Sequence, residues 1–124
     1  MTLLWILTLL FVKHFLADFA YQPPFQWKNK GTYGHLGGIV HTGQHVVLTI
    51  AILAAFSVGF WPIVAIASAE YLIHYHTDWA KMNINARYGW GATTHNEFWI
   101  LTGLDQLIHA LTYMGMGFYL VGKI

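Results

Sequence analysis

Four apolar segments of this chain each carry two ionisable side chains spaced four residues apart. The pairs are His14 and Asp18, His41 and His45, His74 and Asp78, and Asp105 and His109. In an α-helix, residues i and i+4 lie on the same face. Ionisable groups inside apolar helices are energetically expensive and normally face the interior of a helix bundle. Four such pairs near the same end of their helices therefore predict a metal site inside the bundle.

The chemistry of these side chains narrows the choice of ion. Imidazole and carboxylate groups are usual ligands of zinc, iron and manganese. We expect all eight residues of the four pairs to act as metal ligands around one or two divalent ions, with zinc as the first candidate and iron or manganese as alternatives. A metal-free cluster of hydrogen-bonded side chains, a proton relay and haem held by two histidines are the other interpretations.

Three further polar side chains follow the same helix faces and are the candidates for catalysis. Glu70 lies one helical turn before His74, as a spare ligand or a general base. Lys81 lies on nearly the same face as Asp78, where it would meet an anionic group of a substrate or extend to the lipid headgroups. Gln22 lies one turn beyond Asp18, where it would hydrogen-bond a ligand or simply end the helix.

The composition predicts a membrane protein. The chain has 124 residues, of which 56% are hydrophobic and only 9% charged, whereas soluble globular proteins have roughly 25% charged residues. We expect residues 1–124 to form a single integral membrane domain. The net charge of +1 provides no electrostatic basis for nucleic-acid binding, and the absence of cysteine excludes disulfides and thiolate metal sites.

The apolar segments predict an all-α protein, a bundle of four transmembrane helices. The spans cover about residues 2–21, 36–58, 62–82 and 96–121, each near the roughly 20 residues that cross a bilayer. Thr94 and Glu97 are spaced as a capping box at the start of the fourth span. Because spans one and three share a His-x3-Asp pattern, the bundle is also consistent with two repeated helical hairpins.

Basic residues set the expected orientation. Lys28 and Lys30 lie in the first loop, Lys81 and Arg87 in or beside the third, and the middle loop has none. The positive-inside rule therefore places loops one and three in the cytoplasm and both termini outside. With this topology all four ionisable pairs lie in the cytoplasmic half of the membrane. Lys13 and Lys123 do not follow the pattern.

The motifs resemble a known family. KHFLADFAYQ in span one, a histidine early in span two, HYHTDWAK in span three and DQLIH in span four are similar to the domain of unknown function 3307 family, small phage and bacterial membrane proteins. The resemblance implies that the residues of the shared pattern belong to one site, and it implies a location in the inner membrane of a bacterial host. The matching residues are His14, Asp18, Gln22, His41, His74, Asp78, Lys81, Asp105, Gln106 and His109. His45 and Glu70 fit the pattern less clearly.

The family offers no established function, but it has a looser similarity to membrane-bound metal-dependent hydrolases. Our first hypothesis is therefore a metal-dependent hydrolase that acts on a lipid or lipid-linked ester or phosphoester, with membrane lipid as its partner. The second is a non-enzymatic phage membrane protein with a structural metal site, used for example in superinfection exclusion. The third is a metal or proton transporter, which would require a homo-oligomer because four helices alone make a small pathway.

Overall fold

The computed structural model describes residues 1–124 and contains helices but no strands. The elements are α1 (Thr2–Phe15), a π-helical turn (Leu16–Ala20), α2 (Pro24–Trp27), α3 (Leu36–Ala55), α4 (Phe60–Tyr88) and α5 (Asn96–Leu120). The prediction of an all-α protein is confirmed. The short helix α2 and the π-helical turn, which contains Asp18, were not predicted.

Two helix ends differ from the predicted ones. Helix α4 continues past residue 82 to Tyr88 and stops at Gly89, whose φ of 66° is left-handed and favours glycine. The predicted capping box is wrong, because α5 begins without a side-chain cap. The Thr94 hydroxyl instead lies 2.8 Å from Nδ1 of His95.

The four long helices form a closed ring in which α1 and α4 each pack against both α3 and α5. One end of the ring is filled by apolar side chains from every long helix. This core includes Ile6, Leu10, Leu53, Ile66, Tyr113, Met116 and Leu120. Because neighbouring helices run in opposite directions, the ionisable pairs of all four helices meet at the other end of the ring.

The first loop folds back onto the polar end of the bundle. Helix α2 packs against α3, and a Cβ added to Gly37 would lie only 2.3 Å from the carbonyl oxygen of Phe25. Glycine at this position therefore permits the close approach of the loop. As a result Gln26 and Lys30 are buried, with only 5% and 7% of their surface exposed.

Many buried side chains are polar or charged, and many large apolar side chains are exposed. The interior contains 13 buried polar or charged residues and ten buried hydrophobic ones. Large apolar side chains are instead exposed on the outside of every long helix, among them Trp5, Val47, Leu72 and Leu111.

Two of the four predicted spans meet the length and composition of a membrane-crossing helix. These are the segments Thr2–Ala20 and Leu36–Ala55. Helices α4 and α5 are long enough but contain more polar residues. In α4 these include Glu70, His74 and Asp78, all of which are buried inside the bundle.

Candidate metal centre

The first group of potential ligands surrounds the carboxylate of Asp18. Its Oδ1 lies 3.0 Å from Nε2 of His41 and 3.1 Å from Nε2 of His45. Nε2 of His74 is 3.9 Å away. Ligand atoms of these four residues all lie within 4.8 Å of one another, so they can hold a metal ion. Two helices, α3 and α4, and the π-helical turn meet here, as the spacing of the pairs predicts.

The second group consists of His74, Asp78 and His109. The Asp78 carboxylate lies 3.4 Å from Nε2 of His74 and 3.4 Å from Nε2 of His109. On the far side of His109, Oδ1 of Asp105 is also 3.4 Å from Nε2. This geometry brings oxygen and nitrogen ligands from α4 and α5 together.

Three atoms in and beside this second group are buried without a hydrogen-bond partner. They are Oδ1 of Asp78, Oδ1 of Asp105 and Nε2 of His109. A buried polar atom without a partner costs about 1–3 kcal/mol, and more if it is charged. Oδ1 of Asp78 and Nε2 of His109 lie 3.4 Å apart, so a cation bound by both would satisfy them. Oδ1 of Asp105 lies 3.4 Å from the same nitrogen and is placed to accept a hydrogen bond from a molecule bound there. The arrangement can therefore hold a metal ion.

His74 belongs to both groups through the same nitrogen. Its Nε2 lies 3.3 Å from Nε2 of His41, and one imidazole nitrogen has only one lone pair for a metal. The two groups together can therefore hold one ion that binds His74, or two ions, only one of which binds His74. Asp78 lies between the two groups, because its Oδ2 is also 3.2 Å from Nε2 of His41.

Hydrogen bonds around the groups orient the histidine rings. Nδ1 of His41 lies 3.3 Å from Oε1 of Gln26 and can donate to it, which leaves the lone pair of Nε2 free for a metal. His14 is held from both sides, since Nδ1 is 3.1 Å from the Tyr113 hydroxyl and Nε2 is 3.2 Å from Oδ2 of Asp18. His14 thus lies at the edge of the first group of potential ligands, where it orients Asp18.

His45 has a different environment. Nζ of Lys13 contacts a carboxylate oxygen of Glu70, the carbonyl of His45 at 3.1 Å and Nδ1 of His45 at 3.4 Å. An ammonium can only donate, so Nδ1 of His45 accepts and the ring proton lies on Nε2. In this tautomer His45 donates a hydrogen bond to Asp18 and has no free lone pair for a metal, so the first group offers Asp18, His41 and His74 as ligands. Glu70 lies beside Lys13 and outside both ligand groups.

The structure places the remaining predicted residues around the centre. Nε2 of Gln22 lies 3.5 Å from Oδ1 of Asp18 and 3.4 Å from Nε2 of His41. Gln106 was predicted to belong to the site only by the resemblance, because adjacent helical positions face different directions and spacing alone points Gln106 away from Asp105. Its Oε1 lies 3.0 Å from Nε2 of His14, and its Nε2 lies 3.1 Å from Oδ2 of Asp105.

Four residues of the centre were missed from the sequence: Lys13, Gln26, Lys30 and Tyr113. Tyr113 follows His109 by one turn on the same face, which is a signal that the spacing argument could have used. Lys13 is a charge within an apolar helix, which also marks a functional or paired residue. Gln26 and Lys30 reach the centre through the fold of the first loop, for which the sequence carries no comparable signal.

A polar cavity of about 310 Å³ opens beside the centre. Its walls include Asp18, Asp105, Gln22 and the two lysines, Lys30 and Lys81. Nζ of Lys30 lies 3.1 Å from Oδ2 of Asp78. Burial lowers the pKa of Lys30, but attraction by Asp78 and Asp18 outweighs burial, so the pKa is raised and the ammonium stays charged.

A larger groove of about 640 Å³ lies between α4 and α5 on the outer surface. It is lined mainly by aliphatic side chains such as Ile73 and Leu111 and contains no carboxylate, histidine or lysine. The smaller cavity is therefore the one that can serve the chemistry of the cluster.

Together the fold and the cluster define a class of protein: a helix bundle with a buried histidine–aspartate centre that can bind a metal ion. The chain belongs to the family described as proteins of unknown function, DUF3307, whose family model matches residues 6–119. The predicted family is thus confirmed over most of the chain. No curated protein and no solved structure matches this chain.

Proposed function

We propose that the protein is an integral membrane, metal-dependent hydrolase. Its substrate is a lipid or lipid-linked ester or phosphoester, reached from the cytoplasmic face of a bacterial inner membrane. The observation that carries the proposal is the set of three unpartnered atoms on Asp78, Asp105 and His109, next to a polar cavity that Asp105 also lines. A cation site beside a cavity is what metal-assisted hydrolysis requires.

The membrane part of the proposal extends to all four long helices. The ionisable residues Glu70, His74, Asp78, Asp105 and His109 of α4 and α5 lie inside the bundle. The outward faces of these helices carry exposed Leu72, Ile73, Leu107 and Leu111. Loops one and three then lie in the cytoplasm, with the metal centre at that side.

Single cysteines test this topology cleanly because the chain contains none. We expect the Lys28→Cys and Arg87→Cys variants to resist a membrane-impermeant maleimide in intact spheroplasts, while Ser57→Cys reacts. The labelling pattern reverses if the orientation is the opposite one. Release of the wild-type protein from membranes by alkaline carbonate would contradict an integral location altogether.

A divalent ion in the centre would lower the pKa of a bound water towards neutrality and polarise the ester or phosphoryl oxygen. The side chains of the protein have separate tasks. Asp78 and His109 would hold the ion, and the amides of Gln22 and Gln106 lie where they orient Asp18. Asp105 lines the cavity and has an unpartnered oxygen, so it is the general base that accepts the proton of the attacking water. Glu70 is held by Lys13 and does not serve this role.

The test is hydrolysis by purified protein in lipid nanodiscs, assayed against phospholipids and lipid-linked phosphates. We expect activity that a chelator removes and added zinc, manganese or iron restores. Asp105→Asn should lower the rate by about 10²–10⁴-fold, the usual contribution of a general base. Glu97→Gln, the same change at an exposed carboxylate, should leave the rate unchanged. Bound metal without turnover of any lipid would refute the hydrolase and favour a structural metal.

A further inference from the structure

The cavity beside the metal centre contains groups that the hydrolysis of a neutral ester would not need. Lys30 and Lys81 both line it, together with Asn85 and Thr102. Oδ1 of Asn85 and Oγ1 of Thr102 are buried and have no hydrogen-bond partner. The Thr102 hydroxyl can donate to a bound molecule, whereas Oδ1 of Asn85 can only accept. Thr102 and the two lysines are therefore the donors that an anion in this cavity would meet.

The balance of charge around the cavity points to an anion. Asp18, Asp78 and Asp105 carry the negative charges of the site, and Lys30 offsets one of them through its contact with Asp78. A single divalent cation offsets the other two. Lys81 then leaves the cavity with an excess of positive charge, and a second divalent ion would increase that excess. Unbalanced charge in a membrane-embedded site is unfavourable without a counter-ion.

We propose that this cavity binds a phosphate group, as a phosphomonoester or phosphodiester, between Lys30, Lys81 and Thr102. This inference rests on the proposed function and names the anionic part of its substrate. Lysine is a common phosphate ligand, and Asp78 occupies only one of the three N–H donors of Lys30. A tetrahedral group with several charged oxygens can use donors on different walls of the cavity, which a planar carboxylate does less well.

The rim of the cavity indicates how the rest of the substrate is accommodated. Phe19, Trp27, Met82 and Phe98 complete its wall, and Phe19 and Trp27 are 60% and 44% exposed at the outer surface. An apolar rim beside a cationic interior fits an amphiphile whose phosphate enters the cavity and whose chain stays outside. The cavity thus takes the headgroup of a phospholipid more readily than a free polar metabolite.

Binding can be measured without turnover, on metal-loaded protein in a phosphate-free maltoside detergent. Titration calorimetry would use inorganic phosphate, with acetate for comparison, and phosphatidic acid would be added in mixed micelles. We expect phosphate or phosphatidic acid to bind and acetate not to. Lys81→Met should weaken binding about tenfold or more, as the loss of a charge-assisted hydrogen bond does. Lys28→Met removes the same charge at an exposed site and should have no effect.

Thr102→Val keeps the shape and overall charge of the site and provides a second variant if Lys81→Met does not fold. We expect it to weaken phosphate binding several-fold while metal content is unchanged. Binding of phosphatidic acid alone identifies a lipid source, and binding of inorganic phosphate alone identifies a soluble one; both support the proposal. The phosphate proposal is overturned if neither variant weakens phosphate binding, if acetate binds equally well, or if phosphate does not bind. None of these results contradicts a hydrolase that acts on neutral esters. Protein that takes up no metal overturns the proposed function itself.

Discussion

Asp78→Asn will weaken metal binding by more than about 100-fold. Loss of a residue that only supports a metal ligand already weakens binding by up to about 100-fold, and loss of a ligand itself should weaken it further. Asp78 is central because its carboxylate contacts His41, His74 and His109. The substitution keeps the size of the side chain but removes its charge, so one anionic ligand is replaced by a weak neutral one. Affinity can be measured by competition with a chromophoric chelator, and bound metal by elemental analysis after dialysis.

The matched control for Asp78→Asn is Glu97→Gln, which makes the same carboxylate-to-amide change at an exposed position on α5. It should bind metal as the wild type does. Circular dichroism of both variants must show wild-type helicity, because loss of the fold would also remove metal. A folded Asp78→Asn variant with wild-type metal affinity would show that Asp78 is not a ligand.

The second large effect is on stability. Lys13→Met should destabilise the protein by about 3–5 kcal/mol, the usual result of removing one partner of a buried ion pair. Lys13 and Glu70 form such a pair, with side chains only 5% and 1% exposed. Without Lys13, the charge of Glu70 is left inside the bundle without a partner. Unfolding in mixed micelles, driven by an increasing fraction of dodecyl sulfate, gives the free-energy difference.

The double variant Lys13→Met with Glu70→Leu separates the ion pair from the packing. Because apolar residues of similar volume often replace a buried pair without loss of stability, we expect most of the lost stability to return. Metal content should also be retained, since neither residue is in the ligand groups. Lys123→Met, at an exposed position, is the control. A double variant as unstable as Lys13→Met alone would refute this explanation.

The convergence of the four pairs could be predicted because it depends on helical periodicity alone. The i, i+4 spacing of His41 with His45, or of His74 with Asp78, places both side chains on one face whatever the neighbouring helix does. Which face is turned inward follows from the energetic cost of burying charge in lipid or apolar protein. These rules were enough to place six of the eight expected ligands within two contiguous groups.

The rest depends on features that periodicity does not encode. Asp18 lies in the π-helical turn at Leu16–Ala20, and π-helical turns are rare departures from the 3.6-residue period on which the prediction relied. The pairing of Lys13 with Glu70 depends on the rotation of α1 relative to α4. The burial of Lys30 depends on the close contact at Gly37. In each case the position of a side chain is determined by tertiary contacts between distant segments.

Glu70 and Gln106 both show the limit of predictions made from helical spacing. Glu70 lies one turn from His74 and was therefore a candidate base, but that turn leads deeper into the bundle, where Lys13 binds it. Gln106 follows Asp105 directly and was expected to point away, yet its long side chain reaches His14 on α1. Helical spacing gives the face of a residue but not the reach of its side chain or the partner it meets.

Elemental analysis of the detergent-purified wild-type protein, with stoichiometry per chain, tests the central claim most directly. We predict one or two divalent ions per chain at near-integer occupancy, retained through dialysis and removed by a strong chelator. Folded protein that contains no metal, and takes up none when zinc, manganese or iron is added, would contradict the claim. The buried histidines and aspartates would then bond only to one another.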